Sequence, residues 1–299
     1  LSKMVIATGF FDGVHRGHRF LLDQLTDEAR KRGEESMVIT FWPHPRNVLQ
    51  DDARNLRLLT SMDEKKSLLR AAGVDHVEVL PFTKSFAALT TEEYLRDYVM
   101  GRFGGKAILL GYDNRIGSDL CAPEKTAEIA GGLGLEVIRE KSLASESGVV
   151  ISSTKIRNSL TEGDIIAAND MLGYGYQLYG VVVSGNRLGR TIGFPTANMQ
   201  LYEPLKLVPG RGVYLVDVET LGNKYHGMCN IGIRPTVGNG NAVTIETNIF
   251  DFDEDIYGLD IRLTFKQKIR DEVKFRDVTH LAGQLAKDRD ECQALSSVR

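Results

Sequence analysis

Two histidines three residues apart, His15 and His18, stand in the segment GFFDGVHRGH, residues 9–18. On a starting helix that spacing puts both imidazoles on one face, and Gly17 between them removes a side chain that would keep a phosphate at a distance. A strand, a glycine loop and a helix start bring backbone N–H groups and the positive helix end to bear on an anion. Two imidazoles there can donate hydrogen bonds to charge developing on a phosphorus without forming a covalent bond. The rival readings are a metal pair, which lacks an obvious third ligand, or two ordinary surface histidines. Further along, Ser152, Ser153 and Thr154 precede a helical pattern with Arg157 one turn on. Hydroxyls, free N–H groups and a guanidinium suit an anion, and they equally suit a simple helix cap.

A second group of residues points to phosphate chemistry of another kind. In VTIETNIF, residues 243–250, period-two alternation puts Glu246 with Thr244 and Asn248 on one face and Ile245 with Ile249 on the other. A carboxylate there can act as a base, or simply face solvent as strand glutamates do by default. IGFPTAN, residues 192–198, offers hard oxygens at Thr196 and Asn198 of the kind Mg2+ takes, or else an ordinary proline turn entering a strand. GNRLGRT, residues 185–191, is not a Walker loop: the spacing between Gly185 and Gly189 is one residue short, and Arg190 stands where lysine is required. DFDEDIYG is not a calcium loop, because Ile256 replaces the turn glycine and Arg262 the closing glutamate. His44, between Pro43 and Pro45, reads as a rigid turn residue.

The elements that must position these groups change character midway. Apolar runs at 4–8, 37–42, 76–80, 107–110 and 135–138 alternate with helical patterns at 18–31, 61–72, 91–102 and 123–130. Each run is continuous enough to be a strand buried on both faces, so the first half reads as an open parallel α/β sheet with ligands at the carboxyl ends of its strands. Ser61 with Glu64 and Thr90 with Glu93 have capping-box spacing, and Pro123 suits a first helical turn. Of the 16 glycines after residue 150, 13 lie between Gly173 and Gly240, where helical periodicity vanishes. Short β-type runs at 176–183, 213–219, 225–230, 243–250 and 261–265 then mean a sandwich or barrel, closed by a helix at about 277–289. The expected division is 1–160, a helix and hinge at 161–175, and 176–299.

At 299 residues the chain has the length of about two domains at ~150 residues each. Charged residues make up 26% and the formal net charge is −3, so no general basic field for nucleic acid is present and any nucleotide is handled in a local pocket. No apolar run approaches the ~20 residues of a membrane helix, and no membrane partner is expected. Cys121, Cys229 and Cys292 are odd in number and widely spaced, without a C-x-x-C pair. Neither a disulfide framework nor a zinc knuckle is supported, and a reducing cytoplasm is the expected setting. No signal peptide is recognised, and an opening at Leu1 rather than Met gives the expectation of a trimmed start and an incomplete first strand.

The strings extend beyond these spacings. H-x-G-H after a strand resembles the nucleotidyltransferase signature, and G-x-FDGVHxGH is similar to the FMN adenylyltransferase half of bacterial bifunctional riboflavin kinase/FAD synthetases. FWPHP, LLTSMDEK, GYD and ISSTKIR follow in the family's order, and GNRLGRTIGFPTAN, GVY, NIGIRPT, DIYG and IRDEVKF resemble its riboflavin kinase half. The resemblance covers essentially the whole chain. It implies a Rossmann-like nucleotidyltransferase domain followed by a small antiparallel β-barrel with a terminal helix. ATP would convert riboflavin to FMN in the barrel, and a second ATP would convert FMN to FAD in the first domain. By the same resemblance His15, His18 and Glu246 are catalytic. Gly9, Phe10, Asp12, Gly13, Asp113, Ser153, Thr154 and Arg157 would bind ATP or FMN in the first domain. In the barrel Gly185, Gly189, Arg190, Gly193, Pro195, Thr196, Asn198, Arg270, Glu272 and Phe275 would hold ATP and flavin, with Thr196 and Asn198 on Mg2+. Asn114, Ile116 and Val150 depart from the family's usual residues. That leaves open a chain with kinase activity alone, and a flavin-binding regulator without turnover is the reading from another class.

Overall fold

The computed structural model describes residues 3–49, 56–111, 115–140, 151–185, 188–235 and 241–297. The chain divides into two compact units, Leu1–Ser153 and Thr154–Arg299.

In the first unit, β1 (Met4–Thr8), β2 (Glu35–Trp42), β3 (His76–Pro81), β4 (Gly105–Leu110) and β5 (Glu136–Arg139) form the expected parallel sheet, in the order β3-β2-β1-β4-β5. The connections carry α1 (Arg16–Arg32), the short α2 (Pro45–Leu49), α3 (Met62–Ala71), the short α4 (Lys84–Ala87), α5 (Thr91–Glu93) and α6 (Pro123–Gly132). Alternation along β1 sends Val5 and Ala7 into a core with Leu22, Leu25 and Ala29 of α1 and Leu69 of α3. Ile6 faces the other way, into a core with Tyr94, Leu95 and Val99. The sheet is therefore covered on both faces, as its parallel strands require. Burial on both faces holds for β1, β2 and β4, whereas the edge strands β3 and β5 remain partly exposed. Both capping boxes form: Ser61 and Glu64 close α3, and Thr90 and Glu93 close α5. The helix expected at 91–102 continues from α5 as a π-helix, Tyr94–Arg102.

The second unit begins with α7 (Ser153–Glu162), which starts at the last residue of the first, and α8 (Ile165–Leu172). The second of these is a helix within the segment 161–175. The Gly210 N–H donates to Leu160 O (2.8 Å), while Asn169 donates to Phe265 O (2.9 Å) and accepts from Tyr176 N (2.8 Å), so both helices are tied to the sheet behind them. That sheet is the expected closed antiparallel barrel. Its strands are β6 (Gln177–Val183), β7 (Ala197–Leu201), β8 (Gly212–Thr220), β9 (Asn223–Pro235), β10 (Asn241–Ile249) and β11 (Asp260–Arg270), in the order β10-β7-β6-β11-β8-β9. Strand β7 is missing from the expected set, because Pro195 at its entry reads as a turn. The short helix α9 (Leu188–Thr191) lies between β6 and β7. The last helix, α10 (Val278–Ser297), runs past the expected end at 289 and buries Cys292 among Val213, Leu215 and Met228.

Candidate functional sites

Strand order in the first unit reverses at β1: β2 and β3 lie on one side, β4 and β5 on the other. The loops leaving β1 and β4 thus border the crevice at the carboxyl edge where such sheets take ligands. One of them is the 9–15 loop; the other begins at Gly111, and Asp113 with Asn114 lies outside the described residues, as does Val150.

The first loop is held by its neighbours. Gly9 N–H donates to Ile39 O (3.1 Å) and the Thr40 hydroxyl to Phe10 O (3.1 Å). The buried Asp12 carboxylate accepts from the N–H groups of Leu59 (3.0 Å) and Thr60 (3.1 Å) and from the Thr60 hydroxyl (3.1 Å). Gly13 N–H donates to the same hydroxyl (3.2 Å). Phe11 and Val14 are kept at φ values of 51° and 37°, a region side chains rarely enter.

His15 caps α1. Its backbone is extended and its Nδ1 accepts from the His18 N–H (3.3 Å), so in the neutral ring the proton sits on Nε2. The two imidazoles stack at 3.6 Å and 14°. A Cβ at Gly17 would stand 3.2 Å from the His15 ring, so the glycine protects the stack as well as the approach. No acidic residue occupies the first turn of α1, leaving its positive end uncompensated. The His18 Nδ1 is buried without a hydrogen-bond partner. Burial, with His15 and Lys65 adding repulsion, holds its pKa well below the ordinary 6.5, so the ring is neutral near pH 7.

Lys65 is the group that sequence reasoning passed over. It lies on α3 with 1% of its surface exposed, its Nζ 3.6 Å from the centroid of the Phe10 ring and without a hydrogen-bond partner. Burial pushes its pKa down to about 8, against the pull of Asp12. The signal was available: Lys65 shares the buried face of α3 with Leu69, four residues on, where a lysine is out of place. Ser153 reaches the same loop, its hydroxyl donating to Asp12 O (3.0 Å). Thr154 and Arg157 follow on α7, beyond the division of the chain.

In the barrel, register does the positioning. Glu246 on β10 is paired with Asn198 on β7 and with Asn230 on β9, so the three share one level and one face of adjacent strands. Thr196 lies two residues before Asn198, and Asn248 donates to Pro195 O (2.7 Å), anchoring the chain just before Thr196. A Cβ at Gly185 would come within 2.2 Å of the Asn198 amide, so only glycine lets the loop after β6 lie on that side chain. Gly189 accepts from Ile192 and Phe194 N–H, Arg190 belongs to α9, and Gly193 has φ 83°. Glu272 lies against Gly232 on β9: a Cβ there would be 2.7 Å from its Oε1, 3.3 Å from the Asn230 amide and 3.5 Å from the Thr244 hydroxyl. Arg270 is committed elsewhere, its fork gripping the buried Asp288 of α10 at 2.7–3.0 Å, with Phe275 5.7 Å away. The amide and hydroxyl oxygens of Asn198 and Thr196 are the hard donors Mg2+ accepts, and among the described residues no cluster of three acidic, histidine or cysteine side chains offers an alternative. A hollow of about 250 Å3 lined by Tyr179, Leu221, Asp260 and Arg262 includes none of these residues.

Comparison with known proteins covers both units. A family model described as FAD synthetase matches residues 1–155, and one described as riboflavin kinase matches residues 172–296. The chain is 38% identical over 286 residues to a bifunctional riboflavin kinase/FMN adenylyltransferase of Escherichia coli (strain K12), covering 95% of this chain and 90% of that protein. It is 35% identical over 294 residues to the protein of the same name from Bacillus subtilis (strain 168), covering 97% and 92%. A crystal structure named as a macrolide-efflux protein of Streptococcus pneumoniae superposes with a TM-score of 0.90 at 35% identity, covering 98% of this chain and 94% of that one.

Proposed function

The chain belongs to the bifunctional riboflavin kinase/FMN adenylyltransferase family, and from that premise we propose how its residues divide two reactions. Riboflavin and ATP give FMN and ADP; FMN and a second ATP give FAD and pyrophosphate. Residues 1–160 carry the second reaction and residues 176–299 the first, with 161–175 between them.

In the adenylyltransferase half an oxygen of the FMN phosphate attacks the α-phosphorus of ATP, and the bond to the pyrophosphate oxygen breaks. His15 and His18 donate to charge gathering on the oxygens of that phosphorus, which a neutral imidazole can do without giving up its proton. Gly9, Phe10, Asp12, Gly13 and Asp113 form the rim around the nucleotide, and Ser153, Thr154 and Arg157 hold its phosphates at the start of α7.

In the kinase half Glu246 takes the proton of the ribityl hydroxyl as that oxygen attacks the γ-phosphorus of ATP and ADP departs. Thr196 and Asn198 hold Mg2+, which when bound neutralises charge on the phosphates. Gly185, Gly189, Arg190, Gly193 and Pro195 shape the loop over the nucleotide, and Glu272 and Phe275 face the flavin. Arg270 serves that contact by fixing the strand end through Asp288.

The observation that carries this division is that Glu246 stands opposite Asn198 within one barrel, while His15 stacks on His18 within the other unit. Purified chain with Mg2+, ATP and riboflavin should yield FMN first and FAD after it; FMN that accumulates without FAD would favour kinase activity alone. A cytoplasmic setting belongs to the same reading: all three cysteines are free, as a reducing compartment leaves them, and no helix among the described residues is long and apolar enough to cross a membrane. Small molecules are the proposed partners, with no role for nucleic acid.

A further inference from the structure

Lys65 has no hydrogen-bond partner for its ammonium among the described residues. Its surface is 1% exposed, its Nζ makes no hydrogen bond, and its nearest aromatic neighbour is Phe10, a residue of the loop that carries the histidines. A buried ammonium is normally matched by a carboxylate or a ring of carbonyls. Asp12 attracts it, yet that carboxylate is engaged with Leu59 and Thr60 and accepts nothing from Lys65. The charge also acts on His18, whose own Nδ1 is buried without a partner. Two buried nitrogens without hydrogen-bond partners, one on α1 and one on α3, therefore lie beside a helix N-terminus that has no acidic residue in its first turn. Such a set is incomplete until an anion arrives.

We propose that Lys65 is an anion-binding residue of this site, its ammonium donating to a phosphate oxygen of ATP or FMN beside His18. The inference rests on the adenylyltransferase reading of the first half and adds to it a cation that acts on phosphate directly. Phe10 sets the height of Nζ and keeps water from it, so the charge is held ready at the rim of the loop. Among the described residues, Asp12, His18 and, stacked on it, His15 are the charged or titratable groups on the Lys65 side of the site.

The test uses the full chain with Lys65→Met, which keeps the apolar stem, and Lys65→Arg, which keeps the charge. Lys65→Met should melt no lower than the parent and form FMN from riboflavin within twofold of it. Its kcat/KM for FAD formation should fall about 30-fold, as expected when a charged hydrogen bond to substrate is lost, and Lys65→Arg should restore most of that. A loss confined to the KM for ATP assigns the phosphate to ATP, and one confined to the KM for FMN assigns it to FMN. Folded Lys65→Met that forms FAD within threefold of the parent overturns the proposal. A parent that forms FMN and never FAD overturns the adenylyltransferase reading instead. Should Lys65→Met not fold, the parent decides: kcat/KM for FAD formation should decline above about pH 8, and a profile flat to pH 9.5 overturns the proposal.

Discussion

Both sites must handle charge gathering on phosphate, and they are built from opposite materials. The first site as proposed offers nitrogen groups, two imidazoles and an ammonium, set at a helix start on the carboxyl edge of a parallel sheet and largely buried. The second as proposed offers side-chain oxygens, from Thr196, Asn198, Asn230 and Glu246, the last three spaced by the pairing of antiparallel strands and left partly exposed. Donors meet anionic oxygen directly and gain from a dry setting, where each hydrogen bond is electrostatically stronger. Oxygen ligands need a cation between themselves and the phosphate, so their spacing matters more than their dryness. The first site is therefore expected to answer to protonation and the second to geometry.

The sharpest way to break this comparison is Glu246→Gln, which leaves the strand register alone and removes the proposed base. FMN formation should fall about a thousandfold while FAD formation from supplied FMN stays within twofold, read by chromatographic product analysis. His18→Ala should do the reverse, lowering FAD formation about a hundredfold and sparing FMN. Equal loss of both products in either variant would mean that the sites are not independent.

Asp288→Ala tests geometry without touching a reacting group. Removing the carboxylate strands the Arg270 fork against the barrel and should cost about 3 kcal/mol of stability in denaturant unfolding. FMN formation should suffer with it, and FAD formation should not. A loss below about 0.5 kcal/mol, the size of a surface change, would show that α10 is held by its apolar contacts alone.

The smallest effect concerns pH. The folded pKa of His18 lies below its unfolded value, so the unfolded chain takes up a proton first on acidification. This group's contribution to stability is whole above pH 6.5 and declines as pH falls through the folded value. The acid limb of FAD formation should likewise lie below pH 6.5, with no matching limb from this cause in FMN formation. An acid limb centred at or above 6.5 would show that His18 titrates like a solvent-exposed imidazole.

Much of this architecture was legible because local chemistry and tertiary position agree. The capping pairs Ser61/Glu64 and Thr90/Glu93 satisfy donors within one helical turn, and both form. Alternation around Glu246 marked its face because neighbouring residues on a strand must point apart. Other features depend on partners distant in sequence. β3 and β5 read like central strands, since no residue within them says that nothing pairs beyond. The π-helical hydrogen bonding after Glu93 leaves no mark on apolar spacing, and although the spacing of Lys65 to Leu69 puts it on the buried face of α3, only the fold shows that Phe10 covers it. Arg270 reads as a flavin contact because only the folded α10 brings Asp288 to it.

The Asp12 carboxylate has a consequence for the energetics of nucleotide capture. Because it clasps Leu59 and Thr60 from within the chain, the curvature of the glycine rim is set by the protein's own contacts. Association then forfeits little chain freedom, so the affinity of that rim is governed by what its donors gain from phosphate rather than by the work of organising a slack segment.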